Sequence, residues 1–243
     1  EFVGWNVYET EAYSVEPKTW CFPITGCIVY RGFFDLEGAK SFVAKETTKK
    51  NDLFVGPITA YSTLGTFNDP ILSSHLSLPD FRLASLIIHE LAHQKLYFSG
   101  KSEVNEAFAV VVERAGLVKW LNATGREEWL PRVRAAWDEE DRKVGLILNA
   151  RNQLKTVYAN GADDASKAAD KTRILHDLEA ALCETSCSGD GLPKASSRTF
   201  SLNNAYMTPV YTYYGKYDEL KAVLDEVGGD LDKFYGEVER RYR

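Results

Sequence analysis

An apolar stretch from Phe81 to Phe98 contains the run His89-Glu90-Leu91-Ala92-His93, and no other feature constrains this chain as tightly. The stretch has the length of one helix. On a helix, residues four apart share a face, so both imidazoles project the same way, one turn apart. Ile87, Ile88, Leu91 and Ala92 surround them, which implies that the helix is largely buried there. Buried imidazoles and a buried carboxylate need partners. A metal supplies one, because two neutral histidine nitrogens at this separation can occupy two corners of a tetrahedral zinc site. Glu90 is placed to hold and deprotonate a zinc-activated water. Only four histidines occur in 243 residues, and the pentapeptide arises by chance in roughly one chain in a hundred of this length. The competing explanation is two polar residues on the exposed edge of a core helix.

A third ligand is expected from a neighbouring segment. After Gly100, a suitable helix stop, Ser102 can cap a second helix running to about Leu121. Twelve residues separate His93 from Glu106, enough to end one helix, reverse and enter an antiparallel neighbour. Glu106 then faces the two histidines. Glu113 lies on nearly the same face two turns later, and Glu103 one turn earlier. For Glu106 the alternative is a carboxylate favoured by the helix macrodipole.

His-Glu-Leu-Ala-His-Gln (89–94) followed by Asn-Glu-Ala-Phe-Ala-Val-Val-Val-Glu (105–113) resembles the metal signature of the gluzincin aminopeptidases. Beyond it, Trp20-Cys21-Phe22-Pro23, Gly26-Cys27, Tyr30-Arg31-Gly32-Phe33-Phe34, residues 60–65 and Leu202-Asn203-Asn204-Ala205 resemble a family of bacterial zinc-dependent aminopeptidases, over most of the chain. The resemblance implies an α+β, mainly helical, zincin-like fold. A small N-terminal α/β lobe (1–98) would end in the metal helix, a helical lobe (99–243) would follow, and the metal would lie between them. It also implies one Zn2+ held by His89, His93 and Glu106, with Glu90 as general base in peptide-bond hydrolysis. For the oxyanion donor it points to Tyr213, with Tyr211 and Tyr214 close behind; tyrosine packing is the alternative. Zincins present an edge strand to substrate, and residues 60–67 are the natural candidate, so Ser62, Gly65 and Thr66 are expected to contact substrate. Large gluzincin aminopeptidases hold the substrate amine with a glutamate that this segment lacks. Asp69 is the available substitute, or else a turn residue before Pro70.

Composition bounds the rest. With 44% hydrophobic and 26% charged residues, the chain has an ordinary globular composition and enough apolar material for one generous core or two closely packed lobes. A net charge of −6, without a dense basic cluster, argues against nucleic acid as a partner. No apolar run approaches a membrane span of ~20 residues. No signal peptide is visible from Glu1, as would also hold for a trimmed chain. Two local disulfides, Cys21–Cys27 and Cys183–Cys187, are the simplest pairing among three connectivities, and four reduced cysteines are the alternative. Resemblance to envelope proteins favours an oxidising compartment, the bacterial envelope or periplasm, over the cytoplasm.

Along the chain, residues 1–34 show aromatics and turn formers without a helical period. Asp35 can cap a helix to about Lys49, with Phe42 and Val43 inward. Asn51-Asp52 reads as a break, and Leu53 to Phe67 as strand-like pieces. Ser77 is the expected N-cap of the metal helix, with Pro79 in its first turn. Arg126 to Tyr158 and Asp164 to Cys183 read as a helical hairpin turned at Asn160-Gly161. Ser186 to Ser201 form a polar loop, and two short helices, Tyr217 to Val227 and Asp230 to Tyr242, close the tail. Without internal repeats or linkers, 1–243 is expected to be one domain. His75 and His176 read as solvated, and Arg31 as pairing with a substrate carboxylate or an internal acid.

Two rival functions remain beside the aminopeptidase. One keeps the metal, as a zinc endopeptidase or an inactive zinc-binding envelope scaffold. The other is a metal-free helical module. An intact Glu90 argues against a purely structural zinc site, which normally closes its fourth position with a ligand.

Overall fold

The computed structural model describes residues 2–22, 26–58, 78–186 and 202–243. The fold is α+β and mainly helical, with a small antiparallel sheet ordered β4-β1-β5. Strand β1 (Gly4–Glu11) lies in the centre, between β4 (Arg31–Phe33) and β5 (Asn51–Ile58). A second hairpin pairs β2 (Trp20–Phe22) with β3 (Gly26–Ile28), and the Cys21–Cys27 disulfide crosses it. Cys183 is also disulfide-bonded; Cys187, its expected partner, lies outside the described residues.

Side chains alternate across β1. Trp5 and Val7 face helix α1 (Leu36–Glu46), where Ala39, Phe42 and Val43 cover them. Asp35 caps this helix through the Gly38 amide at 2.7 Å, as expected. The opposite face of β1 carries Gly4, Asn6 and Tyr8, and it is this face that lines the cleft described below.

The helical part is organised around α3 (Ser102–Ala123), which is apolar nearly all round. It packs against α2 (Asp80–Lys95) on one side, and against α7 (Tyr217–Glu226) and α8 (Leu231–Tyr242) on another. Phe108 of α3 is fully buried and stacks on Phe234 at 5.6 Å; burying such a ring contributes about 3 kcal/mol. Gly116 lets α2 approach, since a Cβ there would meet Ile88 at 2.9 Å. Helices α4 (Leu130–Ala159) and α5 (Asp164–Ser186) form the expected hairpin over Ile147, Leu154, Ile174 and Leu178.

Several expectations are corrected. The metal-helix candidate ends at Lys95 rather than Phe98, and Pro79 occupies its N-cap without a side-chain cap; Ser77 is outside the described residues. Lys101, not Ser102, is the N-cap of α3. Helix α1 stops at Glu46, where Thr47 turns extended. Asn51 and Asp52 begin β5 instead of breaking the chain, because they pair with Glu11 and Thr10 of β1. An additional helix, α6 (Met207–Tyr214), precedes the two expected in the tail. The loop beyond Ser186 falls outside the described residues.

Candidate metal centre

Helices α2 and α3 run antiparallel and bring their polar residues into register. His89 and His93 share one face of α2, with ring centroids 5.0 Å apart. Glu106, in the second turn of α3, points at both: its Oε2 lies 3.4 Å from His89 Nε2 and 3.6 Å from His93 Nε2. One ligand atom from each of the three residues falls within 4.8 Å of the others. Glu106 Oε2 is buried and no hydrogen bond satisfies it. An orphaned carboxylate oxygen between two imidazoles is the donor set that zinc takes, so the residues present fit the ion.

Charge binds the three groups to one another. Burial pushes the His89 imidazole down, but the Glu106 and Glu113 carboxylates outweigh it and hold it up at about 10. Burial likewise works against the Glu106 carboxylate, and the two histidines bring it down to about 2.

A second layer fixes the first. Glu113, two turns after Glu106, sits 3.0 Å from His89 Nδ1. Its other oxygen accepts a hydrogen bond from Ser85 Oγ, one turn before His89 on α2. With Nδ1 held by a carboxylate, His89 presents Nε2 towards Glu106. Asn105 clamps the turn between the helices: its Oδ1 accepts from Phe98 N at 2.9 Å and its Nδ2 donates to Phe98 O at 2.9 Å. The residue before Glu106 thus sets where α3 begins relative to α2.

These groups open onto a cleft of about 490 Å³. Glu90 lines it, with Oε2 buried and without a hydrogen-bond partner. Tyr213 reaches it from α6, its ring stacked on His89 at 6.0 Å. Although 37% of Tyr213 is exposed, its phenol is pushed well above the ordinary range, first by the Glu106 charge and then by burial. It stays protonated, a hydrogen-bond donor. Across the cleft stand Asn6 and Tyr8 of β1 and Tyr30 before β4.

Of the residues named from sequence, His89, Glu90, His93, Glu106 and Tyr213 come together here. Tyr211 does not: the Arg151 guanidinium covers its ring at 3.5 Å. Tyr214 instead helps to cage Arg114, which pairs with Asp141 at 2.8 Å. Glu103 lies apart from the cluster, in the field of Arg151 and Lys216. His176 is solvated on α5, as expected. Arg31 faces the Phe42 ring at 4.8 Å, and no ion pair joins it to an acid among the described residues. Ser62, Gly65, Thr66, Asp69 and His75 lie outside the described residues.

A family model described as "Putative aminopeptidase" matches residues 1–242. The chain belongs to that family. Comparison with curated proteins and with solved structures returns no match. For a member of this family, peptides are the substrate class its description implies. No described helix is long and apolar enough to cross a membrane.

Sequence reasoning passed over the roles of Asn105, Asn6, Tyr8 and Tyr30 in this aminopeptidase-family chain. Asn105 carried a signal, since an asparagine at the start of a buried helix needs partners for its amide. Asn6 and Tyr8 carried a weaker one, as alternate residues of a single strand.

Proposed function

We propose that the protein is a zinc-dependent aminopeptidase. The observation that carries this reading is the buried, unsatisfied Glu106 oxygen facing two imidazoles, with a second unsatisfied carboxylate, Glu90, next to His89 in the chain. His89, His93 and Glu106 would hold one zinc ion. Zinc supplies Lewis acidity there, towards a peptide carbonyl and towards water.

The protein's own groups do the rest. Glu90 takes the proton of the attacking water and returns it to the departing amine. Its Oε2 has no competing hydrogen bond to break first. Tyr213 donates its phenol proton in a hydrogen bond to the charge developing on the carbonyl oxygen. Glu113 keeps His89 in one tautomer throughout. The Cys21–Cys27 disulfide is compatible with an oxidising, extracytoplasmic compartment.

Glu90→Gln tests the reading. The variant is expected to retain about one equivalent of zinc while peptide hydrolysis falls by on the order of 10²–10⁴-fold, the range of general acid–base contributions. Undiminished hydrolysis would remove Glu90 from the mechanism. Full zinc occupancy with no hydrolysis of any peptide by the parent would favour the scaffold reading.

A further inference from the structure

Asn6 is a buried polar group of the cleft that the proposed mechanism does not use. It sits mid-strand on β1, is only 7% exposed, and its Oδ1 has no hydrogen-bond partner. Tyr8 follows two residues later on the same face of β1 and lines the same cleft. A buried acceptor left unpaired is a cost that folded chains rarely retain without use.

The sheet leaves room beside it. In register with Asn6 stand Gly32 on β4 and Gly56 on β5. A Cβ on Gly32 would lie 3.6 Å from Asn6 Oδ1 and within 4 Å of no other atom. Gly32 itself lines the cleft. The absent side chain therefore opens the approach to Oδ1 from the cleft. Across from it are the Glu106 and Glu90 carboxylates, close enough to raise the Tyr213 phenol.

Charge selects the ligand. None of the described residues that line the cleft is lysine or arginine, so none of them offers a cation to a terminal carboxylate. Glu106 and Glu90 would balance a divalent ion, and the next acceptors are neutral: Asn6 Oδ1 and the tyrosine hydroxyls. A primary ammonium has three donors and suits such a wall; an acylated nitrogen has one.

We infer that Asn6 Oδ1 accepts a hydrogen bond from the free α-ammonium group of the peptide substrate, and so selects chains with an unblocked amino terminus. This rests on the peptidase reading above. It assigns the amine-holding role to a neutral side chain on the sheet in place of a carboxylate.

The test uses zinc-loaded Glu90→Gln protein, which should bind peptides without cleaving them. Calorimetry compares one short peptide with its N-acetylated form, in the parent background and with Asn6→Ala or Asn6→Asp added. Asn6→Ala is expected to weaken binding of the free peptide on the order of tenfold, the loss of one hydrogen bond to a charged group. The acetylated peptide should change less than about twofold. Asn6→Asp should restore binding of the free peptide to the parent level or better, because a carboxylate accepts the same bond with added charge. Equal losses for both peptides, or no loss for either, would overturn the assignment and leave the zinc peptidase standing. If neither peptide binds the zinc-loaded Glu90→Gln background, the peptidase reading fails and this one with it. Zinc content and circular dichroism of each variant separate lost binding from lost folding.

Discussion

Replacing Glu113 by alanine tests whether the candidate centre is held by its second layer. In the parent, Glu113 sits 3.0 Å from His89 Nδ1 and accepts from Ser85 Oγ, so truncation leaves a largely buried imidazole free to tilt. Loss of such an outer carboxylate typically costs 10- to 100-fold in metal affinity, about 1.4–2.7 kcal/mol. An opposing effect has to be removed. Glu113 also helps to hold the His89 pKa at about 10, so its loss lowers proton competition for the ligand and masks part of the damage near neutrality. The two effects separate with pH: at pH 9 competition is weaker and the structural loss should show more fully. The assay is competition for zinc against a chromophoric chelator at pH 7 and pH 9. Glu113→Gln, which keeps an acceptor but not the charge, should fall between parent and alanine. Ser85→Ala should lie near the parent, because its hydroxyl touches Glu113 and not the histidine. If Glu113→Ala binds zinc as tightly as the parent at pH 9, then Nδ1 anchoring is not what orients His89, and the assignment of Nε2 to the metal loses its support.

Three further outcomes are expected. In the metal-free protein, His89 is raised from 6.5 to about 10 and Glu106 is lowered from 4.5 to about 2. Their mutual stabilisation should be greatest between about pH 4.5 and 6.5, fading as pH rises towards the folded His89 value or falls towards that of Glu106. Because zinc must displace the His89 proton, apparent affinity should tighten about tenfold per unit between pH 7 and 9; a flat profile would contradict the protonated state. Asn204→Ala should destabilise the fold by about 2–4 kcal/mol in urea titration, since it strips partners from the partly buried Tyr158 hydroxyl and from two carbonyls. Asn204 accepts from Tyr158 at 2.8 Å and donates to Ala12 O at 3.0 Å and Glu11 O at 3.3 Å. A change below 0.5 kcal/mol, the scale of ordinary surface substitutions, would show that this tie between the sheet and α4 is dispensable.

Helix α2 and its partner α3 were legible because apolar periodicity and motif spacing agree over two long segments. The α4–α5 hairpin was legible for the same reason, with Asn160-Gly161 between two amphipathic runs. Strand β1 was harder. Asn6, Glu9 and Thr10 are buried within it, so the polar–apolar alternation that marks a half-exposed strand is missing. Asp52 looked like a breaker but is anchored in β5 by Lys171 at 2.6 Å, a contact 119 residues distant that no local pattern reveals. Helix α6 hid behind its aromatic content and Pro209, and its packing against α3, rather than its propensity, makes it helical. Asn203 and Asn204, picked out by family likeness, join the sheet to the helices and do not touch the cleft. Tyr213 could be singled out among its neighbours only by resemblance; the structure separates it from Tyr211 and Tyr214 by giving each of those an arginine.

The account stands on three side chains converging on one zinc ion. Elemental analysis of the purified protein after exhaustive dialysis, beside Glu106→Ala checked for folding by circular dichroism, addresses that directly. About one zinc per parent chain, and little or none in the folded variant, is the expected result. Equal zinc in both, or none in the parent even after zinc is supplied, would contradict it.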